Sequence, residues 1–190
     1  MTENKSAKLG WINGEWGIFK DLTLPINDRG LNFADGIFET ILILQGTPQL
    51  LNEHLHRWEN SAHILGMNPP PKKEWITSLI KDGINRSQIN NINGVIRLNW
   101  TRGESRQRGI NLSNQCLHRF WLEIDSYEPN FEPISTIISQ TERRNTFSQL
   151  SSCKTFSYNQ AIQARIEAKN SGFDDALLLN IQGDICCGTT

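Results

Sequence analysis

Apolar positions recur with two different periods along this chain, and the switches between them mark out its elements. Trp11, Ile12 and Trp16 flank Asn13-Gly14, a pair that tolerates positive φ and so predicts a tight hairpin between two short strands. Ile37 to Leu44 is an apolar, β-branched run closed by Gln45-Gly46. It predicts a buried strand, with Thr47–Leu51 returning as its hairpin partner. Leu55, Trp58, Ala62 and Leu65 then recur at helical spacing, predicting a helix capped by Asn52 and ended by Gly66. After Pro69-Pro70-Pro71, the positions of Trp75, Ile76, Leu79 and Ile80 predict a second amphipathic helix with Pro71 in its first turn. Strands are expected at Val95–Thr101 and Leu117–Ile124.

Between those strands, the glycine-rich stretch from Arg102-Gly103 to Arg108-Gly109 reads as a loop. Its three arginines suit a carboxylate or phosphate, or simply a solvated surface. Tyr127–Pro133 has the proline content and polarity of a linker. The expected organisation is therefore a domain over 1–126, a linker over 127–133 and a second domain over 134–190. In the latter, Ile134–Ser139 predicts a strand, and Tyr158, Ala161, Ile162 and Ile166 trace a helix face ended by Gly172. Ala176–Leu179 is a further apolar strand, and a turn over 180–184 leads to a short strand around Ile185. Helices mixed with hairpins and crossovers indicate an α+β fold rather than a doubly wound sheet.

Composition narrows the function. With 19 basic and 20 acidic residues among 190, the net charge of −1 gives no global field towards nucleic acid or an anionic membrane, so small ligands are expected. The first residues lack the apolar run of a secretory signal, and no stretch reaches membrane-spanning length. Cysteines 116, 153, 186 and 187 contain no C-x-x-C pair, so neither a zinc knuckle nor a redox dithiol is indicated and no metal is expected. Reduced thiols in a cytoplasm are the expectation.

The candidate chemistry centres on Lys154, in Ser151-Ser152-Cys153-Lys154-Thr155-Phe156-Ser157-Tyr158. A lysine held among small and hydroxyl residues at the start of a helical pattern can form an imine with a carbonyl cofactor, although most lysines are solvated surface charges. Three earlier segments give it a context: Asp28-Arg29-Gly30-Leu31-Asn32-Phe33-Ala34-Asp35-Gly36-Ile37-Phe38-Glu39-Thr40, His54-Leu55-His56-Arg57 and Arg102-Gly103. In this order and spacing, the four segments resemble the class IV, fold-type IV pyridoxal-phosphate enzymes, which include aminodeoxychorismate lyase, branched-chain aminotransferase and D-amino acid aminotransferase. The resemblance runs from about residue 11 to the last residue.

It implies a two-domain fold-type IV enzyme that uses pyridoxal 5′-phosphate and forms a homodimer, with the second domain truncated here. Lys154 would hold the cofactor and move protons, and Arg57 would bind its phosphate; the plain alternative for Arg57 is a surface arginine covering Trp58 or pairing with Glu53. Tyr158 would sit by the cofactor ring oxygen, or else serve as a core aromatic. Thr40, ending Phe-Glu-Thr, resembles the lyases, where a threonine relays a proton to departing pyruvate; it would otherwise be a β-favouring residue of a buried strand. Arg102 and Arg108 would meet the substrate carboxylates. Cys187 falls where relatives carry a glutamate that keeps the pyridine nitrogen protonated, and a thiol is the weaker acid, so the electron sink is expected to be weaker.

The implied activity is conversion of 4-amino-4-deoxychorismate to 4-aminobenzoate and pyruvate in folate biosynthesis. A branched-chain or D-amino acid aminotransferase is the rival within the family. An inactive remnant or interaction module is the rival outside it.

Overall fold

Asn13 and Gly14 take φ of 54° and 96°, and the turn they make joins β1 (Leu9–Ile12) to β2 (Glu15–Ile18) in antiparallel register with Ile12 opposite Glu15. This hairpin opens the first of two units of a computed structural model that describes residues 7–104, 109–112 and 116–190; the units are Met1–Pro129 and Asn130–Thr190. In the first, β3 (Gly36–Leu44), β4 (Thr47–Pro48), β5 (Gly94–Glu104) and β6 (Leu117–Ser126) complete a six-stranded sheet in the order β2-β1-β6-β5-β3-β4.

Two helices, α2 (Leu51–Ile64) and α3 (Lys73–Arg86), cover one face of this sheet; a short helix α1 (Arg29–Phe33), capped by the Asp28 side chain, precedes β3. Strand alternation sends Ile37, Ile41 and Ile43 of β3 into a core with Leu55, Trp58, Ile76, Ile80, Ile96, Leu98 and Leu122. Each such side chain contributes on the order of 2 kcal/mol by leaving water.

Local chemistry shifts four predicted boundaries. The return strand after β3 is only Thr47–Pro48, because proline offers no N–H to continue the ladder and Leu50, at φ 49°, turns the chain into α2. That left-handed Leu50 is the N-cap, so Asn52 lies inside the helix rather than capping it. Pro71 precedes the Lys72 N-cap of α3 and is not in its first turn. The predicted Arg102-Gly103 loop is in fact the end of β5. There the register to β6 shifts between Thr101 and Glu104, and Gly103 sits at φ 69° where any Cβ would collide with the Leu117 carbonyl.

The second unit is a three-stranded sheet, β7 (Thr136–Arg144), β8 (Asp175–Asn180) and β9 (Ile185–Cys187), with β7 parallel and β9 antiparallel to β8. α4 (Asn159–Asn170) makes the crossover from β7 to β8. The face that α4 buries is Ala161, Ala164 and Ala168, whereas the predicted face members Ile162 and Ile166 are 49% and 45% exposed. Small side chains let the helix approach the sheet closely, which puts the bulkier isoleucines on the outer side.

Glu167 ties α4 to β7 by accepting from the Gln140 amide (2.8 Å), the Ser139 hydroxyl (2.7 Å) and the Thr141 hydroxyl (3.0 Å). The Gln140 N–H, followed by these hydroxyls, holds its carboxyl below the ordinary carboxylate value. A carboxyl depressed in the folded state contributes stability above its unfolded pKa of about 4.3, and that contribution is lost as pH falls through the folded value. Glu167→Gln should therefore flatten the acid limb: between pH 7 and pH 3, the urea midpoint of the wild type should fall further than that of the variant. Equal falls would remove Glu167 from the account.

Candidate functional site

β3 carries Glu39 on its helix-facing side, between Ile37 and Ile41, and the carboxylate is completely shielded from solvent. An unpaired carboxylate there would be costly. α2 supplies the partners from positions three apart on one helix face: Arg57 donates Nε to Oε1 at 2.7 Å and Nη2 to Oε2 at 2.5 Å, and His54 Nδ1 lies 2.8 Å from Oε2. Arg57 thus pairs with Glu39, while its side chain stays 51% exposed. The sequence did contain a signal for Glu39, as the one charged residue inside an apolar strand run, but the motif reading passed over it.

The opposite face of the sheet has a different character. Thr40 opposes Arg97 across β3 and β5, and its side chain is exposed, not buried in a core strand as expected. Arg97 stacks its guanidinium 3.6 Å above the buried Phe38 ring, donates to Asn99 Oδ1 at 2.9 Å and lies 3.7 Å from Glu123. This pre-set cation beside a threonine hydroxyl was not singled out from the sequence.

Arg102 departs from expectation. Predicted to meet substrate from a loop, it is buried in β5, with Nε on Asp35 (3.0 Å) and its terminal nitrogens on the Gly66 and Leu65 carbonyls (both 2.9 Å) at the end of α2. It caps a helix and ties that helix to the chain before β3. Asp35 also accepts Arg29 Nε at 2.7 Å, and the far end of Arg29 donates to the Gly109, Ile110 and Asn111 carbonyls. Arg108 lies outside the described residues.

In the second unit, the chain leaves a 3-10 turn at Gln149–Ser152, and Lys154 follows in an irregular stretch before α4. It is half-buried, and its ammonium donates to the Tyr158 hydroxyl at 3.0 Å. Tyr158 is the N-cap of α4, ahead of the helix rather than on its face. Cys187 ends β9 opposite Leu178 and packs on the core of Ala164, Ala168, Ala176 and Leu178. Arg57, Thr40 and Arg102 therefore belong to the first unit, and Lys154, Tyr158 and Cys187 to the second.

Comparison with known proteins gives these features a family. Residues 36–190 match the family described as amino-transferase class IV. The "Probable branched-chain-amino-acid aminotransferase" of Rickettsia conorii is 31% identical over 186 residues, covering 95% of this chain and 62% of that relative. An aminotransferase from Brucella abortus bound to the cofactor PLP aligns with TM-score 0.84 and 20% identity, over 97% of this chain and 66% of that one. A "Putative 4-amino-4-deoxychorismate lyase" from Legionella pneumophila aligns with TM-score 0.80 and 23% identity, over 90% of this chain and 62% of that one. The chain belongs to the class IV aminotransferase family, and its α+β architecture is the fold-type IV one, of which it spans less than two thirds of the length of these relatives. Among the described residues, no helix is long and apolar enough to cross a membrane.

The structural reading of Arg102 is testable. Arg102→Met removes one side of a buried ion pair and two carbonyl partners, and should lower unfolding free energy by about 3 kcal/mol in urea titration. Asp35→Asn and the double variant should show coupling with it. A loss within about 0.5 kcal/mol would return Arg102 to the candidates for substrate binding.

Proposed function

We propose that this chain acts as a pyridoxal-phosphate-dependent aminodeoxychorismate lyase, splitting 4-amino-4-deoxychorismate into 4-aminobenzoate and pyruvate. Family membership makes pyridoxal phosphate the cofactor to expect, and the donor set fits it. A half-buried amine 3.0 Å from a phenol suits a carbonyl-bearing ring with a neighbouring hydroxyl. A half-exposed guanidinium anchored at one edge suits a phosphate. When bound, the cofactor supplies a ring that accepts electron density from the substrate α-carbon.

The chain's own residues then divide the work. Lys154 holds the cofactor carbonyl carbon and moves the α-proton, while Tyr158 orients the lysine amine. Arg57 holds the phosphate. Thr40 carries the lyase reading: its exposed hydroxyl can hand a proton to a leaving group, and Arg97 opposite it offers a cation to a carboxylate. Cys187 would offer the pyridine nitrogen a thiol in place of a carboxylate, which suits elimination better than transamination. We expect a homodimer. A second reading, an aminotransferase, is favoured by the name of the Rickettsia conorii relative.

The first test is reduction with borohydride in the presence of pyridoxal phosphate, followed by peptide mass spectrometry. The pyridoxyl group should be found on Lys154; its absence, or its scatter over surface lysines, would support an inactive relative. With the cofactor bound, 4-aminobenzoate should form and Thr40→Ala should slow it by about 100-fold, whereas glutamate formed from an amino acid and 2-oxoglutarate would identify an aminotransferase. Cys187→Glu should introduce such glutamate formation. If it creates none and leaves lyase turnover unchanged, the assigned role of Cys187 is wrong.

A further inference from the structure

Glu39 has no direct place in the proposed chemistry, yet it is a tightly constrained charged group. It is fully buried, it is the only charged residue on the helix-facing side of β3, and it receives Arg57 in a two-point fork together with His54. Nε and Nη2 of Arg57 are both committed to it, so the plane and edge of the guanidinium are fixed by a carboxylate that cannot itself move into water. Half of the Arg57 side chain nevertheless remains open to solvent.

We infer that Glu39 is a positioning residue that aims Arg57 at an oxyanion, with His54 bracing the carboxylate from its other side. The inference rests on the reading of Arg57 as the phosphate-binding arginine. Two opposing effects have to be weighed. Glu39 offsets part of the charge of Arg57, which weakens attraction for an anion. It also removes the rotamer freedom of a long side chain before the anion arrives, so that ordering cost does not fall on binding. Solvent screens the exposed side of Arg57, which diminishes the first effect, whereas the fork geometry leaves the second intact. The positioning effect is therefore the larger.

Glu39→Gln and Glu39→Asp separate the effects in the full chain. Glutamine removes the charge at almost constant shape, and aspartate keeps the charge but cannot reach both guanidinium nitrogens. Dissociation constants for pyridoxal phosphate and for pyridoxal, which lacks the phosphate, are measured by absorbance. Arg57 Nε–H is followed by NMR, assigned with Arg57→Lys. Positioning predicts about tenfold weaker pyridoxal phosphate binding in both variants, unchanged pyridoxal binding and an Arg57 Nε–H that exchanges faster. Unchanged or tighter pyridoxal phosphate binding, or equal losses for both ligands, overturns the inference, the latter by showing a merely structural role. If wild type binds neither ligand, the cofactor reading fails separately, and a titration with inorganic phosphate decides: the Arg57 signal should move in wild type and not in Glu39→Gln. If both Glu39 variants fail to fold, His54→Gln, which leaves Glu39 and Arg57 in place, should weaken pyridoxal phosphate binding about threefold; no change there overturns the inference.

Discussion

A carboxylate taken out of water has to be given hydrogen-bonding cations, and that requirement organises the first unit. Asp28 receives the Thr101 hydroxyl and Arg119, Asp35 receives Arg29 and Arg102, and Glu39 receives Arg57 and His54. Asp28 and Asp35 lie in the stretch leading into β3 and Glu39 lies within β3, and their partners come from α1, α2, β5 and β6. Each pair fixes a distance between segments that the apolar core alone would leave adjustable, because apolar packing has no direction and charge-assisted hydrogen bonds do. The exposed face of the sheet inherits its geometry from this frame: with β3 and β5 pinned, Thr40 and Arg97 stand opposite each other on the side away from the helices.

In the second unit the helix contact is a stripe of alanines, and charged links also join helix to sheet: Glu167 of α4 is met by an amide and two hydroxyls of the bulged strand β7, and Arg165 of α4 pairs with Asp175 of β8 at 3.1 Å. The stretch bearing Lys154 lies between two helical elements and belongs to neither. A side chain there is set by local hydrogen bonds such as that to Tyr158 rather than by a regular ladder.

Family membership and activity stand on different footings. A matching profile over residues 36–190 defines the scaffold, but class IV members of one fold are named for different reactions, so chemistry has to be argued from individual side chains. In the lyase reading proposed above, Thr40 and Cys187 are the two side chains on which elimination rests.

The elements that were legible in the sequence are those governed by local rules. The Asn13-Gly14 hairpin, the β3 run, the faces of α2 and α3, and a helix ended at Gly172 follow from φ preferences and hydrophobic period alone; the family was legible separately, through the resemblance carried by the order of four motifs. Apart from the locally shifted boundaries, the errors share a cause: they concern what a side chain meets at long range. Arg102 read as a loop cation became a buried helix cap. Ile162 and Ile166 yielded the inner face of α4 to alanines, and Glu39 turned out to be the partner of Arg57. Sequence by itself determined where the chain can be helix, strand or turn, and which residues are able to do the chemistry. Only the tertiary structure decided which charges are buried together, since a charge pair forms between residues that folding, not proximity in the chain, brings within hydrogen-bond reach.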